Sequence, residues 1–221
     1  MKAKLIVALD VPTYKEAVSL VKVLQETVSF FKVGSQLFTR VGPRIVDFLQ
    51  AQGKQCFLDL KFHDIPSVVA KSVESAANIG IQMLTVHTSG GEEMLQAAAQ
   101  VSNRPLLLGV TVLTSVAGDM RQEVAQRSTL AQRCGLDGVV ASPHEIAWAR
   151  KATSEAFIIV TPGIRPAGEE ARDQQRVLTP ARAVGAGANY LVIGRPIIAS
   201  KEPAAAARRI VQEMDSAAAS A

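Results

Sequence analysis

Gln55-Cys56-Phe57-Leu58-Asp59-Leu60-Lys61-Phe62-His63-Asp64-Ile65-Pro66 begins as an apolar run, turns charged and stops at a proline. The run 55–61 is short, bounded and apolar at its start, which is the pattern of a strand buried in a parallel sheet. Pro66 suits the first turn of a helix, where a missing N–H leaves nothing unsatisfied. The stretch 66–79 then runs up to Gly80, a helix stop. A strand, a short polar connection and a helix make one βα unit.

The unit recurs in both directions along the chain. Strands are predicted over 5–10, 30–34, 55–61, 83–87, 106–113, 138–142, 157–162 and 190–194. Helix signals fall between them. Thr13 and Glu16 form a capping box ahead of Ala17, Leu20, Val21, Leu24 and Val28 on one face. A helix over 44–52 ends at Gly53. Ser142-Pro143-His144-Glu145 is a second capping box with proline at the first helical position. Thr179-Pro180 and Pro203 open the last two helices, the final one aligning Ala206, Ile210 and Met214.

Eight alternating units in 221 residues predict an α/β fold, a single-domain (β/α)8 TIM barrel over 1–221. The rival is an open doubly wound sheet. It would carry a glycine-rich turn after its first strand, but Asp10-Val11-Pro12 stands there and no G-x-G-x-x-G occurs anywhere. The long polar connection 163–178 reads as a lid loop, and the tail 215–221 as a frayed end.

Composition narrows the function. The chain is 48% hydrophobic and only 5% aromatic, which argues against disorder and suits buried parallel strands. A net charge of +4 is compatible with a small anion. With no basic run longer than Arg208-Arg209 and few aromatic rings, a stacking platform for nucleic acid is not expected. Cys56 and Cys134 lie far apart, without zinc spacing, and fit a reducing cytoplasm. The apolar stretch 5–9 is interrupted by Asp10 and is too short for a membrane span, so no membrane partner is expected. His63, His87 and His144 fall in separate units and read as unclustered, so no metal site is expected.

The polar residues gather at strand ends: Asp10, Lys32, Asp59, Lys61, Asp64, His87, Thr114, Ser142 and Arg195. In a parallel barrel these ends open onto the face where active sites are built. Alternation along a strand puts Asp59 and Lys61 on one face, where Lys32 from the neighbouring strand can join them. Alternating charge offsets the penalty of burying each ion. Such a cluster is either a structural ion-pair plug or a catalytic constellation. Thr161-Pro162-Gly163-Ile164-Arg165 after the seventh strand and Ile193-Gly194-Arg195-Pro196 after the eighth sit where barrels bind phosphate. Ser142 is either a helix cap or a site residue, His87 lines the pocket or packs inside, and His144 is surface.

Ala8-Leu9-Asp10, Phe31-Lys32-Val33-Gly34, Asp59 through Pro66, Val112-Leu113-Thr114-Ser115, Thr161 through Pro166, Asp173-Gln174 and Val192 through Pro196 follow one another in a familiar order. The chain resembles the bacterial orotidine 5′-phosphate decarboxylases over nearly its whole length. The resemblance implies decarboxylation of orotidine 5′-monophosphate to UMP without a cofactor, by a cytoplasmic homodimer. It implies that Lys61 donates a proton to C6 of the pyrimidine, and that Asp59, Lys32 and Asp64 complete the charged cluster, Asp64 crossing from the partner subunit. It implies that Asp10 and Lys32 hold the ribose, Thr114 lines the nucleotide pocket and Ser142 meets the pyrimidine edge. Arg165, Gln174, Gly194 and Arg195 would hold the phosphate. One position departs: the family usually continues Ile-Pro-Asn-Thr, and here Ser67-Val68 follows Pro66. The missing threonine hydroxyl is expected to weaken nucleotide binding by about 1 kcal/mol.

Two rivals make different demands. Related barrels acting on sugar phosphates share an Asp-x-Lys-x-x-Asp core but use Mg2+ and an enediolate. A non-catalytic RNA- or nucleotide-binding barrel, suggested only by the basic charge, would show a steep salt dependence with polynucleotide.

Overall fold

The computed structural model describes residues 2–113, 118–166 and 178–218. Eight parallel strands close on themselves in sequence order: β1 (Lys4–Ala8), β2 (Phe30–Gly34), β3 (Gln55–Phe62), β4 (Met83–His87), β5 (Leu106–Val110), β6 (Gly138–Val140), β7 (Ile158–Thr161) and β8 (Tyr190–Ile193). The ring closes where Lys4 to Val7 of β1 pair with Tyr190 to Ile193 of β8. The expected (β/α)8 barrel is therefore the fold.

Side chains alternate along each strand and build two cores. Ile6, Ala8, Phe30, Phe57, Met83, Leu108, Val160, Tyr190 and Val192 fill the barrel, with the Phe30 and Tyr190 rings edge-to-face at 6.0 Å. The intervening residues, such as Val7, Phe31, Leu58, Leu84 and Ile159, face outward and bury the apolar stripes of the helices. The inward series 6–8, 30 and 57 extends by two to Asp10, Lys32 and Asp59. The sequence thus switches from apolar to charged at the barrel mouth.

The helices are α1 (Tyr14–Leu24), α2 (Ser35–Val41), α3 (Arg44–Ala51), α4 (Pro66–Asn78), α5 (Gly91–Ala99), α6 (Arg121–Arg133), α7 (Ile146–Ala152), α8 (Pro180–Gly185), α9 (Arg195–Ile198) and α10 (Pro203–Ala218). The capping box of α1 is present: Glu16 N–H donates to Thr13 Oγ1 at 3.2 Å, and Thr13 N–H donates to Glu16 Oε2 at 3.1 Å. Two features differ from expectation. A second helix, α2, precedes α3 and is ended by Gly42 in the left-handed region, φ 61°. Strands 1, 5, 6, 7 and 8 stop one to three residues earlier than predicted, because apolar composition, such as Val112-Leu113 after β5, runs on past the last ladder pair; beyond β1, β5 and β6 single backbone bonds continue from Leu9, Thr111 and Ala141 N–H to Lys32, Val140 and Val160 O. At the expected frayed tail, α10 continues to Ala218 and Asp215 pairs with Lys2 at 2.9 Å, while 219–221 lie outside the described residues.

The lid reading of 163–178 falls mostly on 167–177, outside the described residues. Its two ends are joined, since Ile164 and Leu178 form a parallel bridge and Arg165 N–H donates to Leu178 O at 3.0 Å. Among the described residues no helix is long and apolar enough to cross a membrane.

Candidate active site

A cavity of about 280 Å3 opens at the C-terminal ends of the strands. Ala8, Phe57, Val110, Val140, Val160 and Val192 supply apolar walls, while Asp10, Lys32, Asp59 and Lys61 enter from the first three strands. Gly163, Arg165, Gly194 and Arg195 enter from the loops after β7 and β8. Gly194 is small where smallness matters: a Cβ there would stand 3.4 Å from Ala8 Cβ and 3.5 Å from Asp10 Oδ2.

The charges alternate. Lys32 Nζ lies 3.0 Å from Asp10 Oδ1 and 3.6 Å from Asp59 Oδ2, and Lys61 Nζ lies 2.8 Å from Asp59 Oδ1. The Asp59 side chain is only 15% exposed, so it receives two ammonium groups where water screens them poorly. Burial alone would raise its pKa. The nearby charges of Lys32 and Lys61, with hydrogen bonds from Lys61 and Thr85, outweigh that and hold the carboxyl below the usual carboxylate range. Asp59 therefore stays ionised between two cations.

Alternation alone does not bring Lys61 to Asp59. Lys61 has φ 54°, in the left-handed region, and the pairing of β3 with β4 jumps from Leu58↔Leu84 to Phe62↔Val86. Its backbone N–H, displaced from the ladder, donates to Thr85 Oγ1 at 2.9 Å. A non-glycine residue held there is uncommon, and such strain persists where surroundings over-determine it.

The histidines are not all separate. His63 and His87 stack with ring centroids 5.5 Å apart and planes inclined by 22°, which corrects the unclustered reading. The strand ends of β3 and β4 lie side by side, so residues 24 positions apart in sequence meet at the barrel mouth. His144 is exposed, as expected. Among the described residues no group of three or more His, Cys, Asp or Glu is arranged to hold a metal ion.

Comparison with known proteins bears on this arrangement. A sequence profile of the orotidine 5′-phosphate decarboxylase / HUMPS family matches residues 3–210. The chain belongs to that family. An orotidine 5′-phosphate decarboxylase of Nitrosococcus oceani is 47% identical, the match covering 96% of this chain and 98% of the relative. One from Syntrophotalea carbinolica is 46% identical over 98% of this chain and 96% of the relative. Among solved structures, the orotidine 5′-phosphate decarboxylase of Lactobacillus acidophilus superposes with a TM-score of 0.85 at 33% identity, covering 96% of this chain and 99% of that one.

Within this member of the orotidine 5′-phosphate decarboxylase / HUMPS family, the other candidate residues divide. Arg165 and Arg195 reach the cavity wall; Arg165 Nη1 also donates to Ile164 O at 2.9 Å, and Arg195 opens α9. Asp64 does not line its own chain's cavity. It is exposed, and its Oδ1 accepts from Ile65 N–H at 2.7 Å. Ser142 is 1% exposed and is not among the cavity-lining residues. Its N–H donates to Glu145 Oε2 at 3.2 Å, one half of the expected capping box, while its hydroxyl, which would supply the other half, has no hydrogen-bond partner among the described residues. Val68 is 40% exposed on α4. Thr114 and Gln174 lie outside the described residues. Sequence reasoning missed Thr85, which carries no signal beyond being a polar residue in an apolar strand.

Proposed function

We propose that this protein converts orotidine 5′-monophosphate to UMP and CO2, the last step of de novo pyrimidine nucleotide synthesis. The observation that carries the reading is Asp59 flanked by two ammonium groups in a cavity that also receives Arg165 and Arg195. Relatives 46 and 47% identical over nearly the whole chain bear the name orotidine 5′-phosphate decarboxylase.

Loss of CO2 from C6 leaves an electron pair on a vinylic carbon with no neighbouring group to delocalise it. Many decarboxylases recruit a cofactor as electron sink. In this reading the sink is replaced by a fixed cation: Lys61 Nζ stands beside C6 and stabilises the developing charge. The C6–carboxylate bond breaks, the electron pair stays on C6, and a proton from Lys61 Nζ completes UMP. Lys61 then regains a proton from water. Asp59 holds Lys61 and Lys32 in place and stands near the departing carboxylate. Asp10 and Lys32 bind the ribose hydroxyls, and the buried Ser142 hydroxyl, without a hydrogen-bond partner among the described residues, is the group that would meet the pyrimidine edge. Thr114 lines the nucleotide pocket, and Gln174, Arg165, Gly194 and Arg195 hold the phosphate.

The reading includes a cytoplasmic homodimer in which Asp64 completes the partner's site. Exposed Ile65, 62% accessible, and Val68 beside Asp64 support burial of this segment by a second copy. The two free thiols, Cys56 and Cys134, are compatible with a reducing compartment.

The test is turnover of orotidine 5′-monophosphate by Lys61→Ala. Its kcat is expected to fall by at least about 10^3-fold, since general acid and electrostatic terms go together, while UMP still binds. Native turnover by that variant overturns the role of Lys61. Activity surviving excess chelator excludes the Mg2+-dependent sugar-phosphate rival.

A further inference from the structure

We propose that Thr85 is a positioning residue, whose hydroxyl sets Lys61 and Asp59 in working register. The inference rests on the reading of those two residues given above.

Thr85 is in β4 and fully buried, 0% exposed. It lies two positions beyond Met83, which faces the barrel interior. Between the pairs Leu58↔Leu84 and Phe62↔Val86, three residues of β3 stand opposite this one residue of β4. Asp59, Leu60 and Lys61 therefore cannot all find ladder partners across that gap, and a buried N–H without an acceptor is strongly disfavoured. Thr85 fills the gap with its side chain. Its Oγ1 accepts from Lys61 N–H at 2.9 Å and donates its own proton to Asp59 Oδ1 at 3.0 Å.

Lys61 Nζ returns to the same Asp59 Oδ1 at 2.8 Å. The three hydrogen bonds form a closed loop: Lys61 backbone to Thr85 hydroxyl, Thr85 hydroxyl to Asp59 carboxylate, and Lys61 ammonium back to that carboxylate. The loop ties the left-handed backbone at Lys61 to the anion that its own side chain serves. A single hydroxyl suffices because it donates once and accepts once. Valine has the shape of threonine and neither function. A residue serving only to satisfy a buried N–H would affect stability; one that aims an ammonium group would affect kcat at constant nucleotide affinity.

The experiment compares Thr85→Val, Thr85→Ser and Lys61→Ala with the native protein by kcat on orotidine 5′-monophosphate, UMP affinity and Tm. Thr85→Val is expected to lose at least about tenfold in kcat, with UMP affinity within about twofold, because a misplaced catalytic group costs rate more than binding. Thr85→Ser keeps the hydroxyl and is expected to recover within about threefold of native kcat. Native kcat in Thr85→Val overturns the inference, as does Thr85→Ser being as slow as Thr85→Val. If Thr85→Val does not fold, Thr85→Cys, close in size to serine with only a weak donor, takes its place in the same comparison. An inactive Lys61→Ala beside a fast Thr85→Val sinks only the role of Thr85; an active Lys61→Ala sinks the reading beneath it.

Discussion

The imidazole of His87 lies flat against that of His63, the centroids 5.5 Å apart. His87 Nδ1 also accepts the N–H of Ser89 at 3.3 Å, which places the neutral ring's proton on Nε2. Burial lowers the His87 pKa first, and the nearby charges of His63, Arg127 and Lys61 lower it further. The unfolded chain therefore binds a proton at higher pH than the folded one. Stability is full above the ordinary histidine range and falls as pH drops from there towards the lowered folded value. Thermal melts between pH 7 and pH 5 are expected to show a declining Tm, with a shallower decline in His87→Gln. Identical slopes in the two proteins would remove His87 as the source.

Arg195, the first residue of α9 after β8, lines the cavity that Asp10 and Asp59 also line. Arg195→Ala is expected to raise KM for the phosphorylated substrate by roughly 10–100-fold, the range for a lost charge-assisted hydrogen bond. The unphosphorylated nucleoside, which presents nothing for the guanidinium, should be turned over equally by both proteins. Equal losses on the two substrates would assign Arg195 to the architecture of the loop instead.

Gly138 permits a close strand approach in the barrel wall. A Cβ there would lie 2.3 Å from Ile158 O and 2.9 Å from its carbonyl carbon, both backbone atoms that a rotamer change cannot clear. Gly138→Ala is expected to cost at least about 1–3 kcal/mol, the range for overpacking, read as a drop in Tm or in denaturant midpoint. Gly185 has nothing within 4 Å of the place a Cβ would take and serves as the control. A Gly138→Ala protein as stable as the control would mean that β6 and β7 can separate without penalty.

The barrel was readable because burial writes a periodic signal. Strand starts follow from apolar runs, and Thr13, Thr179 and Pro203 mark helix starts by the chemistry of free N–H groups. Asp10, Lys32 and Asp59 were readable because each continues an inward apolar series by two residues. Helix α2 was not, since it spans seven residues and its N-cap, Gly34, has no side chain to signal a start. The strand ends were overextended because composition continues where pairing stops.

What the sequence could not convey is registry between strands. A regular strand predicts the meeting of Lys61 with Asp59, but the structure reaches it through a left-handed residue and a three-against-one mismatch. Thr85 and the stack of His63 on His87 depend on how β4 lies beside β3, and neither strand specifies that by itself.

Gly194 sits against Ala8 and Asp10 because the eighth strand docks on the first. During synthesis, Asp10, Lys32, Asp59 and Lys61 all leave the ribosome long before that last staple exists. A nascent chain that ends short of residue 190 carries every member of the ion cluster yet has no enclosed chamber for an anion to share with it. Ligand capture and ring closure are then linked equilibria: any nucleotide that occupies the chamber selects the zipped barrel over chains in which β8 has peeled away.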